Sequence, residues 1–102
     1  MKTAVVTGSS RGIGAAICKK LCKNGFSVAV NYRESEEKAK ELVRQLLDGG
    51  YDAFAVKADI SRPDEARQLI EAAIKRNGRI DVLVNNAGVS VRSFFDSTTD
   101  EQ

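Results

Sequence analysis

Short apolar runs alternate with longer amphipathic segments along this chain of 102 residues. There are four such runs, and each is almost continuously apolar, which is typical of parallel strands that are covered on both faces. The three segments between them carry apolar residues at helical spacing and predict amphipathic helices. The strands are predicted at residues 3–7, 27–31, 53–57 and 80–84, and the helices at residues 12–24, 35–48 and 62–77.

Each predicted helix combines an apolar face with a glycine at its C-terminal end, where a left-handed residue stops the helix. These stops fall at residues 24–25, 49–50 and 77–78. Ser61 is expected to cap the third helix, with Pro63 in its first turn. The apolar faces consist of Ile13, Ala16, Ile17 and Leu21, then Ala39, Leu42, Val43, Leu46 and Leu47, and finally Ala66, Leu69, Ile70, Ala73 and Ile74.

The order of strands and helices predicts an α/β fold. With right-handed crossovers, the pattern β-α-β-α-β-α-β gives an open parallel sheet of strand order 3-2-1-4, a Rossmann-type doubly wound sheet. Strand 4 is then an apolar edge, beyond which a full sheet of this type continues. Residues 98–101 fit a capping box that starts a fourth helix. We therefore expect one domain that is the front part of a longer protein.

A glycine-rich turn joins the first strand to the first helix. Such a turn places unpaired backbone N–H groups and the positive end of a helix at one point, which predicts a site for phosphate or pyrophosphate. The glycine spacing differs from the G-x-G-x-x-G fingerprint, and no Gly-Lys-Ser/Thr follows, so a nucleoside triphosphatase loop is excluded. A tight turn without a ligand is the alternative. The predicted contacts are Gly8, Ser9, Ser10, Arg11, Gly12, Ile13 and Gly14.

The second predicted strand ends without a carboxylate. A cofactor with a free ribose 2′-OH needs an Asp or Glu about 20 residues past the glycines. Asn31, Tyr32 and Arg33 stand there instead. A neutral Asn followed by Arg suits a 2′-phosphate, which Arg11 can approach with a second forked guanidinium. These residues favour NADP(H) over NAD, and the alternative is that both arginines are ordinary surface residues.

Two more groups of residues follow strands 3 and 4 at the same predicted edge of the sheet. Asp59, followed by Ile60, places a carboxylate where ligands of such sheets bind, and an adenine amino group is a suitable partner. Asn86 offers an amide there, while Ala87 and Gly88 let a cofactor lie close to the main chain. Taken singly, Asp59 is equally well a loop residue, and residues 85–88 an Asx-type turn.

The composition and net charge of the chain limit the kinds of binding partner and active site that are expected. A formal net charge of +2 with 42% hydrophobic and 29% charged residues does not indicate a nucleic-acid partner. No apolar stretch has the length of a signal peptide core or a membrane span. Cys18 and Cys22 are expected to be reduced, buried thiols of a cytoplasmic protein. Without any histidine, a zinc site or a Ser–His mechanism within this chain is not expected, and no metal ligands are assigned.

Taken together, residues 7–14 and 85–88, each after a predicted strand, resemble the short-chain dehydrogenase/reductase family. The resemblance covers the whole chain and is greatest to the 3-oxoacyl-[acyl-carrier-protein] reductase branch and the related glucose dehydrogenases. In such proteins the positions matching residues 8–14 hold the pyrophosphate and adenosine ribose. Those matching residues 59–60 contact adenine, and those matching residues 86–88 line the cofactor. An Arg at the position of Arg11 resembles the NADP-preferring subgroup.

The resemblance implies an oxidoreductase that transfers hydride between nicotinamide and a carbonyl or alcohol substrate, such as a 3-oxoacyl thioester or a sugar. Residues 1–102 match its dinucleotide-binding N-terminal portion. The family's catalytic Asn-Ser-Tyr-Lys set lies beyond the equivalent of Gln102, so no residue here is assigned to proton transfer. The alternative is a non-catalytic nucleotide-binding module. The resemblance also implies a homo-oligomer, a tetramer or a dimer, and neither a nucleic acid nor a membrane as partner.

Overall fold

The computed structural model describes residues 1–10 and 12–86, which form four strands and three helices. The four strands are parallel and lie in the order β3-β2-β1-β4, which confirms the predicted topology. The fourth helix predicted from residues 98–101 lies outside the described residues. The elements are β1 (Lys2–Val6), α1 (Gly12–Lys23), β2 (Phe26–Tyr32), α2 (Glu36–Asp48), β3 (Ala53–Lys57), α3 (Pro63–Asn77) and β4 (Val82–Val84).

The sheet is covered on both faces, as its continuous apolar runs predict. Successive side chains of a strand point to opposite faces, and β1 shows this alternation. Ala4 and Val6 pack with α1 and α2, whereas Val5 packs with α3. All three side chains are fully buried. The two central strands, β1 and β2, therefore form the middle of the core and fix the position of the turns that follow them.

The buried face of α1 differs from the predicted one. The buried row consists of Gly14, Cys18 and Cys22, at a spacing of four residues. Ile13 is 74% exposed and Ala16 is also exposed, so the prediction that they lie on the buried face was wrong. The physical reason is the close approach of Gly14 to the preceding turn, which sets the rotation of the helix about its axis.

The other predicted apolar residues of the helices are buried wholly or in part, with two exceptions. Ile17 and Leu21 of α1 pack partly against the core. In α2 and α3 the apolar stripe is confirmed except at its outer positions, where Leu47 is 50% and Ile74 is 46% exposed. The apolar face of each helix is wider than its contact with the sheet, so the residues at the sides of that face remain in solvent.

The two cysteines are free and lie in the core, which confirms the prediction of buried thiols. Burial raises the pKa of the Cys18 thiol to about 11. Burial, together with the nearby charge of Asp52, raises the pKa of the Cys22 thiol to about 11 as well. Both thiols are therefore protonated at neutral pH and behave as small apolar side chains.

The helix ends agree with the predicted stops, but one start does not. Helix α3 ends at Asn77 and is followed by Gly78, which has a φ of 83° and donates its N–H to the carbonyl of Ile74. At the other end of α3, Pro63 occupies the first turn as predicted. Ser61 does not cap this helix, because its hydroxyl donates to the Asp59 carboxylate instead.

Within the described residues, no helix has the length and apolar character of a membrane span.

Candidate functional site

The carboxyl ends of the four strands meet at one edge of the sheet, and several of the predicted site residues lie there. The main-chain N–H of Gly8 reaches the side chain of Asn31, near the end of β2, and the Gly8 carbonyl reaches the Asn86 side chain after β4. Arg33 and Asp59 approach each other across the ends of β2 and β3. The arrangement is the crevice in which open α/β sheets bind their ligands.

The glycine turn has the backbone conformation that its sequence predicts. Gly8 has a φ of 58° and Gly12 a φ of 64°, a region that residues with a side chain rarely adopt. Helix α1 begins at Gly12, so the N–H groups of its first turn have no intrahelical partner and point out of its positive end. The 74% exposed Ile13 side chain lies at this same helix start. The turn therefore offers anion-binding donors beside an apolar surface.

Gly14 allows α1 to start in direct contact with this turn. A Cβ atom at Gly14 would lie 2.6 Å from the Cα of Ser9, 2.8 Å from the Gly8 carbonyl oxygen and 2.7 Å from the Asn86 Nδ2 atom. Two of these three neighbours are main-chain atoms, which cannot move without distorting the turn. The third glycine of the motif is thus required for packing between helix and turn, as the sequence indicates.

Asn31 connects the turn to two strands from within the protein. Its side-chain oxygen accepts a hydrogen bond from the Gly8 N–H, and its amide donates to the carbonyls of Val56 and Ala58, each at 3.2 Å. The Ser9 N–H donates to the Asn31 carbonyl at 2.9 Å. The side chain is 2% exposed. These bonds position the turn, and the contact of Asn31 with a cofactor stays a prediction.

Tyr32 and Ile60 were also predicted to contact the cofactor, and their side chains lie in the core instead. Each is 8% exposed. Tyr32 packs in the cluster beneath α1 and α2, and Ile60 packs in the cluster beneath α3. Both residues are apolar or partly apolar and stand at the ends of buried runs, where burial competes with ligand contact. Both side chains are largely closed to solvent, and the contact of these two residues with a cofactor stays a prediction.

Arg33 and Asp59 lie at the open side of the same edge. The Arg33 side chain is 66% exposed, and its Nε lies 3.7 Å from Oδ2 of Asp59. The other carboxylate oxygen of Asp59 accepts hydrogen bonds from the N–H and the hydroxyl of Ser61, at 3.0 and 2.6 Å. These bonds, and secondarily the charge of Arg33, hold the pKa of Asp59 below its ordinary value. At neutral pH this edge carries charges of both signs.

Thr7 and Asn86 support the turn from the side of β4. The Thr7 hydroxyl oxygen accepts the Asn86 N–H at 2.9 Å, and the Asn86 side chain donates to the Gly8 carbonyl at 3.0 Å. Thr7 is fully buried and was not predicted as a site residue. The sequence feature that could have identified Thr7 is its position: a hydroxyl residue directly before the first glycine, at the end of an apolar strand. Ala87 and Gly88 lie outside the described residues.

Ser10 is the remaining described residue of the predicted turn. It lines a groove of about 460 Å³ between α1 and α2, where Lys19, Lys38 and Glu37 also lie. Charges of both signs line this groove, so it does not indicate one kind of ligand.

Arg11 lies outside the described residues. Within the described part of the chain, no group of three or more His, Cys, Asp or Glu side chains is placed to hold a metal ion.

Comparison with known proteins agrees with this geometry. The family model described as short chain dehydrogenase matches residues 2–102. An uncharacterized oxidoreductase of Methylorubrum extorquens is 49% identical over 100 residues, which cover 98% of this chain and 40% of that protein. A 3-oxoacyl-[acyl-carrier-protein] reductase of Staphylococcus aureus is 45% identical over 89 residues, or 87% of this chain and 36% of that protein.

A solved structure gives the same result for the fold. The crystal structure of a dehydrogenase/reductase from Sinorhizobium meliloti 1021 superposes with a TM-score of 0.83 at 42% sequence identity. The match covers 85% of this chain and 34% of that chain. This chain therefore spans about two fifths or less of the length of these relatives.

Proposed function

Since the chain belongs to the short-chain dehydrogenase family, we propose that it binds NADP(H) at the carboxyl edge of its sheet. Residues 1–102 are in this proposal the dinucleotide-binding N-terminal portion of a longer oxidoreductase. That enzyme transfers hydride between the nicotinamide and a carbonyl or alcohol carbon, which is the chemistry the bound cofactor supplies. The proposed substrate is a 3-oxoacyl thioester, a sugar or a similar small carbonyl compound.

The observation that carries the proposal is the glycine turn, fixed from both sides in front of a helix start. Asn31 bonds the Gly8 N–H and Asn86 bonds the Gly8 carbonyl, so the turn is held before any ligand arrives. The unpaired N–H groups of the first turn of α1 then receive a pyrophosphate without rearrangement. The contact distances at Gly14 show that this cradle has no room for a side chain behind it. The residues thus suit a dinucleotide.

The preference for NADP(H) over NAD rests on Arg33, together with the predicted role of Arg11. Arg33 is mostly exposed at the end of β2, where the ribose of a dinucleotide lies in this type of sheet. A guanidinium donates forked, charge-assisted hydrogen bonds to a phosphate. In the proposal Asp59 lies beside the adenine and Ser9 and Ser10 beside the phosphates and ribose. Ala87 and Gly88 keep their predicted place along the cofactor.

The remaining parts of the proposal concern the whole protein. The relatives found by comparison are named as a reductase, an oxidoreductase and a dehydrogenase/reductase. These names favour an enzyme over the alternative of a non-catalytic nucleotide-binding module. The proton-transferring residues are then expected outside residues 1–102. We also propose a homo-oligomer, a dimer or a tetramer, that works in the cytoplasm.

Two measurements on the full-length protein that carries this sequence test the proposal. Titration with NADPH, followed by the nucleotide's fluorescence, is expected to show saturable binding. NADPH consumption with a 3-oxoacyl thioester or a sugar-derived carbonyl substrate is expected to show reduction. Arg33→Ala should weaken NADPH binding, whereas the control Arg67→Ala, an exposed arginine of α3, should not. Absence of saturable binding of both NADPH and NADH would overturn the proposal.

A further inference from the structure

Arg33 is held between two carboxylates at the edge where the cofactor is proposed to bind. Its Nε lies 3.7 Å from Oδ2 of Asp59, and its NH2 lies 3.6 Å from Oε2 of Glu34. The two acids reach it from different segments, since Glu34 follows Arg33 directly and Asp59 follows β3. The guanidinium that is proposed to receive a 2′-phosphate therefore already has two negatively charged neighbours.

The two carboxylates differ in how firmly they are fixed. Asp59 is bound by the N–H and the hydroxyl of Ser61, and its side chain is 26% exposed. The Glu34 side chain is 80% exposed, and its Oε2 lies 3.6 Å from the terminal NH2 nitrogen of Arg33, a distance of an ion pair and longer than a hydrogen bond. A 2′-phosphate that accepts a hydrogen bond from this nitrogen would lie beside the Glu34 carboxylate.

We propose that Glu34 is a specificity-determining residue that opposes the 2′-phosphate by pairing with the Arg33 guanidinium and repelling the phosphate charge. This inference rests on the proposed function. NADPH must draw the NH2 group of Arg33 away from its ion pair with Glu34, whereas the ribose hydroxyl of NADH needs no such change. The consequence is a protein that binds both dinucleotides, with a preference for NADPH that is smaller than an unopposed arginine would give.

The size of the effect follows from the exposure of the pair. Exposed ion pairs are weak, so removal of Glu34 is expected to strengthen NADPH binding about two- to fivefold. The effect should shrink as salt rises, because charges in solvent are screened within about 10 Å at 0.1 M ionic strength. NADH lacks the phosphate, and its affinity should change less than about twofold.

The test compares dissociation constants for NADPH and NADH in the full-length protein with Glu34→Gln, Arg33→Ala and both together. Glu71→Gln, an exposed acid on α3, is the control with the same change in net charge. Glu34→Gln should raise the NADPH-to-NADH affinity ratio and Glu71→Gln should leave it unchanged. In the Arg33→Ala background the effect of Glu34→Gln should be largely lost, because Glu34 acts mainly through Arg33.

The possible failures are distinguishable. If Arg33→Ala weakens NADPH binding selectively but Glu34→Gln leaves the affinity ratio unchanged, this inference is overturned and the proposed cofactor site stands. If Glu34→Gln raises the ratio equally with and without Arg33, simple repulsion accounts for the effect and the role of the ion pair with Arg33 is overturned. If neither nucleotide binds, the proposed function fails, and this inference fails with it.

Discussion

The backbone N–H of Gly8 donates a hydrogen bond of 3.0 Å to the side-chain oxygen of Asn31, a residue 23 positions later in the chain. The same Asn31 side chain donates to two carbonyls, those of Val56 and Ala58. One buried amide thus joins the glycine turn to β2 and to the β3 end. A core side chain therefore holds the turn of the proposed phosphate site.

Asn31→Ala is expected to lower the free energy of unfolding by about 1–3 kcal/mol, because it leaves the Gly8 N–H and the carbonyls of Val56 and Ala58 without this partner. Urea unfolding measures this change. The control is Asn24→Ala, which removes one exposed hydrogen bond to the Lys20 carbonyl and should cost about 0.5 kcal/mol or less. Equal, small losses in the two variants would show that Asn31 does not hold the turn.

Gly14→Ala is expected to lower stability by about 1–3 kcal/mol and to abolish nucleotide binding, since the added Cβ would meet main-chain atoms of the turn. Thermal unfolding and an NADPH titration measure the two effects. Gly49→Ala is the matched control. Its Cβ would meet the Tyr51 ring at 3.3 Å, and a ring at the protein surface can move. A Gly14→Ala variant that binds NADPH as the parent does would contradict the close-packed turn.

The sheet order and the helix stops were predictable because they depend on local signals repeated along the chain. Apolar runs marked the strands, and glycines such as Gly78 marked the helix ends. The rotation of α1 was not predictable from its apolar residues. Ile13 looked like a core residue, but the contact of Gly14 with the turn decides which row faces the sheet. Gly14 and the turn come into contact only in the folded chain, so the sequence pattern does not reveal this contact.

The site was predictable in its location but not in the role of each residue. The carboxyl edge followed from the parallel topology, and Arg33 and Asp59 lie there as expected. Asn31 and Tyr32 stand next to Arg33 in the sequence, yet both are buried. Side chains alternate between the faces of a strand, but this rule does not say how far a strand continues. β2 extends to Tyr32 and takes both residues into the core.

A second polar cluster joins the opposite, amino-terminal end of the sheet to α3. Arg76 donates to both carboxylate oxygens of Asp52, at 3.1 and 3.2 Å. The Ser27 hydroxyl also donates to Asp52, and Asn77 donates to the hydroxyls of Ser27 and Thr3. The hydrogen bonds from Arg76 and then Ser27 hold the pKa of Asp52 below its ordinary value of 3.8. The cluster fixes the end of α3 against β1 and β2.

This cluster predicts a pH dependence of stability. Because the folded pKa of Asp52 is lowered, its contribution is fully present above the unfolded value of 3.8 and is lost as the pH falls through the folded pKa. The side chain is 35% exposed, so the contribution is about 1 kcal/mol or less. Asp52→Asn should lower the free energy of urea unfolding at neutral pH.

The difference between Asp52→Asn and the parent protein should narrow as the pH falls from about 4 through the lowered folded pKa of Asp52. Glu71→Gln, which removes an exposed acid from α3, should show no comparable dependence. A difference between Asp52→Asn and the parent that is constant over this range would mean that ionisation of Asp52 does not stabilise the fold.

Cofactor choice tests the central claim most directly. Arg33, which the structure exposes at the end of β2, and Arg11, predicted to lie at the same phosphate, are both changed to alanine in the full-length protein. Dissociation constants for NADPH and NADH are measured for this variant, for the parent and for Arg67→Ala. The account predicts about ten- to a hundredfold weaker binding of NADPH and less than about threefold weaker binding of NADH. Equal losses for the two nucleotides would contradict it.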